Sequence, residues 1–142
     1  NFVPNRNAIF SSLIYGYAVS LVKEKDIYVD IGLGVHDGEH TIPPDCTRSF
    51  FDKLESAFQE GNVESDKINY YLPYVDGYKD KIVIDVCESC SNLGLSIETI
   101  LKNTLSCYTP TVTGNSCGDC GACNDRILAF SKVDIEDSII YE

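Results

Sequence analysis

Cys107, Cys117, Cys120 and Cys123 are the residues of this 142-residue chain best suited by type and spacing to do chemistry. Two overlapping Cys-x2-Cys steps follow a fourth cysteine held ten residues upstream. Zinc in a closed structural site takes four soft ligands as a tetrahedron, and thiolates are its usual choice. Gly118 and Gly121 inside the steps allow the tight bends that let paired sulfurs converge. The turn-rich stretch Thr109-Pro110 to Gly114-Asn115-Ser116 lets Cys107 fold back onto the knuckle. Disulfides and a [4Fe–4S] cluster are the alternatives, and the spacing favours zinc.

A second group of reactive residues lies in the first third of the chain. His36 and His40, the chain's two histidines, stand four apart beside Asp37 and Glu39. They read as a ligand loop, or as a second metal site, against a plain polar surface loop. Asp45-Cys46 opens a helical pattern. A cysteine at a helix amino end has a lowered pKa and would be nucleophilic, with His36 or His40 as a formal base. The structural alternative is Asp45 as a helix cap. Arg6, in Pro4-Asn5-Arg6-Asn7, offers a cation at a helix entry, suited to an anion. Cys87-x2-Cys90 lies on an apolar stripe with Ile82, Val83, Val86 and Leu93, so both cysteines are expected to pack as small hydrophobes. Neither Gly-x4-Gly-Lys-Ser/Thr nor Gly-x-Gly-x-x-Gly occurs in the sequence.

Helices and strands must position these groups. Three- and four-residue steps of Ala8, Ile9, Leu13, Ile14, Tyr17, Ala18 and Leu21 predict a helix from Asn7 to about Lys25. It is apolar on more than one face, which predicts extensive burial. Ile27 to Gly34 suits a central parallel strand, with Gly32 and Gly34 at its end, where α/β sheets place ligands. A second helix with Phe50, Phe51, Leu54, Ala57 and Phe58 on its stripe ends near Gly61. Ile68 to Val75 is a second strand. Asp80 to Leu93 is a third helix stopped by Gly94, and Ser96 caps a short one through Asn103. A last helix carries Ile127, Leu128 and Phe130. Asp134 to Glu142 has no assignable pattern. Alternation of this kind implies an α/β domain with a parallel sheet. Residues 1–105 are expected to be the C-terminal portion of an α/β domain, which the family resemblance given below implies to be nucleotide-binding, and 106–142 a zinc knuckle with its helix.

The net charge of −11 argues against a phosphate-backbone binder, because the basic residues are few and scattered. Seven cysteines without a paired framework suit a reduced compartment, so a cytoplasmic location is expected. No apolar run approaches the roughly 20 residues needed to span a bilayer. The chain opens on Asn1 and contains no Met. Only two strands are visible where a doubly wound sheet has about five or six, so further strands are expected upstream of Asn1.

Taken together, these stretches resemble the 7-cyano-7-deazaguanine (preQ0) synthases of queuosine biosynthesis, members of the ATP pyrophosphatase superfamily. Val3-Pro4-Asn5-Arg6-Asn7 is similar to that family's Val-Pro-x-Arg-Asn helix start. Pro44-Asp45-Cys46-Thr47 with Phe50 is similar to its Pro-Asp-Cys block. Ser106-Cys107-Tyr108 with Cys117-Gly118-x-Cys120-x2-Cys123-x2-Arg126 resembles its zinc knuckle, and Lys79 fits the Lys before the third helix. The resemblance implies a Rossmann-like nucleotide-binding fold with helices on both faces of a parallel sheet. It implies that a deazapurine carboxylate is activated by ATP, with magnesium, as an acyl adenylate. Ammonia then gives an amide, which a second activation dehydrates to a nitrile. Metal ligands would be Cys107, Cys117, Cys120 and Cys123. Arg6, Asn7 and Lys79 would bind nucleotide, Asp45 and Cys46 would be catalytic, and His36, His40 and Arg126 would contact substrate. A homodimer is implied as well. Arg48-Ser49 stands where the family has Pro-Glu, and the family's Ser-Gly-Gly-x-Asp-Ser loop, absent from these residues, is expected upstream. The competing readings are a carboxylate-activating relative from another pathway, such as phage defence, and a non-catalytic zinc-stabilised binding module.

Overall fold

The computed structural model describes residues 3–36 and 43–142. Helix α1 (Arg6–Lys25) leads into strand β1 (Val29–Gly32), and helix α2 (Arg48–Gly61) leads into strand β2 (Ile68–Tyr71). Helices α3 (Lys79–Leu93), α4 (Ile97–Leu101) and α5 (Gly121–Val133) complete the order. The two strands pair in parallel, with Val29 opposite Ile68 and Gly32 opposite Tyr71. Leu33 N–H extends the ladder to Tyr71 O at 3.1 Å. The chain is thus a mixed α/β protein with a parallel sheet.

Two compact units share these elements. The first holds α1, β1, α2 and β2. Its core is Tyr15, Ala18 and Val22 of α1 against Ile31 and Ile68 of the strands, flanked by Phe58 and Tyr70. Phe51, buried on α2, meets the Tyr70 ring at 5.5 Å. Only one stripe of α1 is buried; Ile9, Phe10, Leu13 and Tyr17 are exposed among the described residues, against the expectation of burial on several faces. The carboxylate of Glu55 on α2 accepts the Tyr70 amide at 3.0 Å, so that amide, on the edge away from β1, is already taken.

Local signals explain the element ends. Thr47 caps α2, its hydroxyl accepting the Phe50 amide at 3.3 Å. Gly94 ends α3 in the left-handed region at φ +65°, its amide turned back to Cys90 and Ser91 carbonyls. Ser96 caps α4 through the Thr99 amide at 3.2 Å.

The second unit, Gly77–Glu142, packs α3 and α4 on α5. Val83, Leu101, Ala129 and Phe130 are its buried apolar cluster, with Val86 and Cys87 against it. Cys90 is buried and Cys87 partly so, in keeping with their expected packing role, although Leu93 of the same stripe is exposed. Ile127 and Leu128 point outward, and α5 buries Cys123, Arg126, Ala129 and Phe130 instead. The helix is therefore rotated from the expected face, because its first turn must aim Cys123 at the knuckle. No helix among the described residues is long and apolar enough to cross a membrane.

Candidate metal centre and ligand loop

The expected site residues fall into two groups, one in each unit. In the second unit the sulfurs of Cys107, Cys117, Cys120 and Cys123 all lie within 4.8 Å of one another. Cys107 and Cys117 sulfurs are 3.6 Å apart, and Cys117 and Cys123 sulfurs 4.0 Å. Four thiolates bound to one ion at about 2.3 Å stand about 3.8 Å apart, so the spacing fits a single tetrahedral zinc. A tetrahedron of this size leaves about 3 Å at most from corner to centre, room for one ion and not for an iron–sulfur cube. All seven cysteines are free thiols, which removes the disulfide alternative here. The cluster could therefore hold a metal ion such as zinc.

The backbone prepares these sulfurs to carry charge. The Cys120 amide donates to Cys117 Sγ at 3.3 Å, and the Cys117 amide to Cys107 Sγ at 3.4 Å. Thr109 Oγ1 adds a bond to Cys117 Sγ at 3.3 Å. The Thr109 hydroxyl, with the Asp119 and Cys120 amides, brings the Cys117 thiol down to about 6. Burial drives Cys123 the other way, up to about 12. In a metal-free cluster one sulfur ionises readily and another resists, which is how close like charges behave. Gly118 takes φ +71° in the first Cys-x2-Cys turn, a conformation that disfavours a side chain.

Lys79, expected at a nucleotide, sits beside the cysteines in this unit. Its ammonium donates to Ala122 O at 3.4 Å, in the second Cys-x2-Cys step. Burial pulls its pKa down, while Asp125, Cys123 and Cys120 pull it up. Arg126, expected at a substrate, is turned inward and is 3% exposed. Its Nε and one terminal nitrogen hold Asp137 at 2.7 and 2.8 Å; the other contacts are Thr104 O, Thr104 Oγ1 and Leu101 O. All five N–H donors of the guanidinium are thus taken within the unit, and the side chain fastens the knuckle helix to its surroundings. Asp137 and Tyr141, which no sequence pattern singled out, complete this cluster: Tyr141 donates to Asp137 at 2.5 Å. The available signal was charge, a lone arginine in the knuckle and an acidic tail after it.

In the first unit Asn7 and the Asp45-Cys46 pair, 38 residues apart in sequence, come together. The Asn7 amide side chain donates to Asp45 O at 2.8 Å and to Cys46 Sγ at 3.3 Å. The Asn7 backbone N–H reaches Asp45 Oδ2 at 3.4 Å. Asp45 therefore faces the amino end of α1, where the helix dipole favours a carboxylate, and Thr47 caps α2 in its place. Pro44–Cys46 is a short 3-10 turn ahead of α2, so Cys46 lacks the expected helix-end position. Burial and the Asp45 carboxylate push its thiol up, against partial relief from Asn7 and Arg6. The expected lowered pKa is thus reversed, and Cys46 is a protonated thiol at neutral pH. Asp45 and Cys46 follow β1 in the chain, and the carboxyl end of a parallel strand is where α/β sheets commonly place ligands. His36 is half-buried four residues beyond β1; His40 lies outside the described residues.

Comparison with known proteins now separates the readings. The model of the family described as "Queuosine biosynthesis protein QueC" matches residues 1–134. The chain belongs to this family. It is 36% identical over 143 residues to a 7-cyano-7-deazaguanine synthase of Rickettsia akari, covering 99% of this chain and 57% of that protein. Similar matches are the 7-cyano-7-deazaguanine synthases of Psychromonas ingrahamii, 36% identical with 99% and 56% covered, and of Caldicellulosiruptor saccharolyticus, 35% identical with 99% and 55% covered. The chain spans just over half the length of these curated relatives. Within the QueC family match lie all three clustered stretches: Arg6-Asn7, Asp45-Cys46 and the four cysteines.

Proposed function

We propose that the protein to which this chain belongs converts 7-carboxy-7-deazaguanine and ammonia into 7-cyano-7-deazaguanine, using ATP with magnesium, in queuosine biosynthesis. The observation that carries this reading is the QueC family match over residues 1–134. In the proposed reaction a carboxylate oxygen attacks the α-phosphorus of ATP and pyrophosphate leaves. Ammonia then adds to the acyl carbon, AMP departs with that oxygen, and a proton is lost, leaving an amide. A second ATP adenylates the amide oxygen, and pyrophosphate leaves again. Loss of AMP and the remaining N–H protons forms the nitrile. Both carboxylate oxygens end in AMP.

The residues take roles that their positions allow. Arg6 and Asn7, at the amino end of α1, bind nucleotide. Asp45 and Cys46 face the substrate, Cys46 as a neutral thiol and Asp45 as a fixed acceptor. His36, and His40 by the family resemblance alone, contact substrate. The four cysteines hold a structural zinc, with Lys79 as a cation beside the thiolates. The active form is a cytoplasmic homodimer acting on small molecules, and nucleic acid is not its ligand. The test uses the full-length protein with substrate carrying 18O in both carboxylate oxygens. The expected result is one labelled oxygen in each AMP, and Asp45→Asn should lower nitrile formation at least a hundredfold with zinc content unchanged. Unlabelled AMP, or full turnover by the variant, would refute the reaction or the residue's role respectively.

A further inference from the structure

The last residues of the chain are tied to the metal knuckle more thoroughly than a tail needs. The Ser116 amide donates to Ile140 O at 3.1 Å, and the Glu142 amide donates to Ser116 O at 2.9 Å, a short parallel bridge directly before the ligand Cys117. The Glu142 carboxylate accepts from Thr113 Oγ1 at 2.7 Å and Asn115 Nδ2 at 2.6 Å, both in the loop between Cys107 and Cys117. The Tyr141 side chain lies against Gly118, within 3.7 Å of where a β-carbon would stand. From the other side, Asp137 is clamped by Arg126, three residues after the ligand Cys123. The tail therefore touches the loop that carries the isolated ligand, the first Cys-x2-Cys turn, and the helix that carries the last ligand.

We infer that residues 137–142 form a clasp that closes the metal knuckle, with Asp137 and Tyr141 as positioning residues for metal retention. The inference rests on the reading of the four cysteines as a zinc site. A sulfur ligand on a loop has to be held in place for the tetrahedron to persist. Here Cys107 depends on a nine-residue loop whose far end is held by the tail. Coupling is reciprocal: a tail that favours the closed tetrahedron must itself be favoured by the metal. Groups outside the ligands commonly alter metal affinity by about tenfold to a hundredfold when removed.

The experiment uses the full-length, zinc-loaded protein and follows transfer of zinc to a chromophoric chelator. Asp137→Asn leaves the Arg126 charge buried without its carboxylate, and release should be about tenfold faster. Tyr141→Phe, which removes one hydroxyl and keeps the ring, should speed it a few-fold and guards against failure of the first variant to fold. Val83→Ala, in the α3–α5 core, is the control; at an equal loss of melting temperature its release should be slower than that of Asp137→Asn. Wild-type release rates in both tail variants would overturn the clasp, as would release that merely tracks melting temperature across all three. A wild-type protein that binds no zinc at stoichiometry would instead overturn the metal reading itself.

Discussion

Stripping the metal should unfold the unit Gly77–Glu142. Its buried apolar cluster is four side chains, Val83, Leu101, Ala129 and Phe130. At about 2 kcal/mol for each large side chain and under 1 for alanine, these contribute about 7 kcal/mol before any conformational entropy is charged against them. Structural zinc in four-ligand peptides is worth about 10–16 kcal/mol near neutral pH. The metal is thus at least as large as the contribution of these four buried side chains. Its loss is of the same size as the roughly 5–15 kcal/mol by which domains are ordinarily stable. Freed from the ion, sulfurs near 4 Å apart cannot all stay ionised, so Cys123 takes up a proton and nothing draws the cluster together. The assay is amide hydrogen exchange followed by mass spectrometry, before and after chelation, with peptides covering Tyr15 to Val22 as internal reference. Peptides from α3 and α5 should lose protection on chelation. Retained protection in α5 after stoichiometric zinc removal would refute the reasoning, since the small core would then suffice.

Cys46 should alkylate slowly at pH 8 and gain rate as pH rises beyond 9, because burial and Asp45 raise its folded pKa. A raised folded value means stability from the neutral thiol is present below the unfolded pKa and fades as pH climbs through the folded one; a rate plateau reached by pH 8 would contradict this. Thr47→Ala removes the cap on α2 and should cost about 1 kcal/mol in denaturant unfolding; an unchanged midpoint would show that the 3.3 Å contact to Phe50 carries nothing. Cys87→Ala should lower stability by about 1 kcal/mol or less as a partly buried packing change and leave zinc stoichiometry intact, and metal loss would show that Cys87 reaches the centre after all.

What could be read from sequence followed the range of the interaction. Gly94 and Ser96 act within five residues, and their stop and cap are where the pattern puts them. The four cysteines converge as their spacing implies, since a metal-sized cluster leaves few other arrangements. Longer-range partners were not legible. Asp45 has every mark of a cap for the helix that follows it, yet it faces the helix 38 residues earlier. Arg126 looks like a free cation in the motif, but its counter-charge is eleven residues away in a tail without periodicity. On α1, composition leaves open which apolar face the strands cover; the buried stripe is Ser11, Tyr15, Ala18 and Val22.

The Glu55 carboxylate gives the sheet a direction of growth. A two-stranded sheet has two edges at which another strand can be added. On the β2 side the Tyr70 amide is already committed to Glu55, so an incoming strand would meet a negatively charged side chain where it needs a donor. Extension of the ladder is thereby steered to β1, the same strand whose carboxyl end leads into the His36 segment. One acidic side chain on a helix surface thus takes the edge amide of Tyr70 and favours lengthening of the sheet from the β1 side.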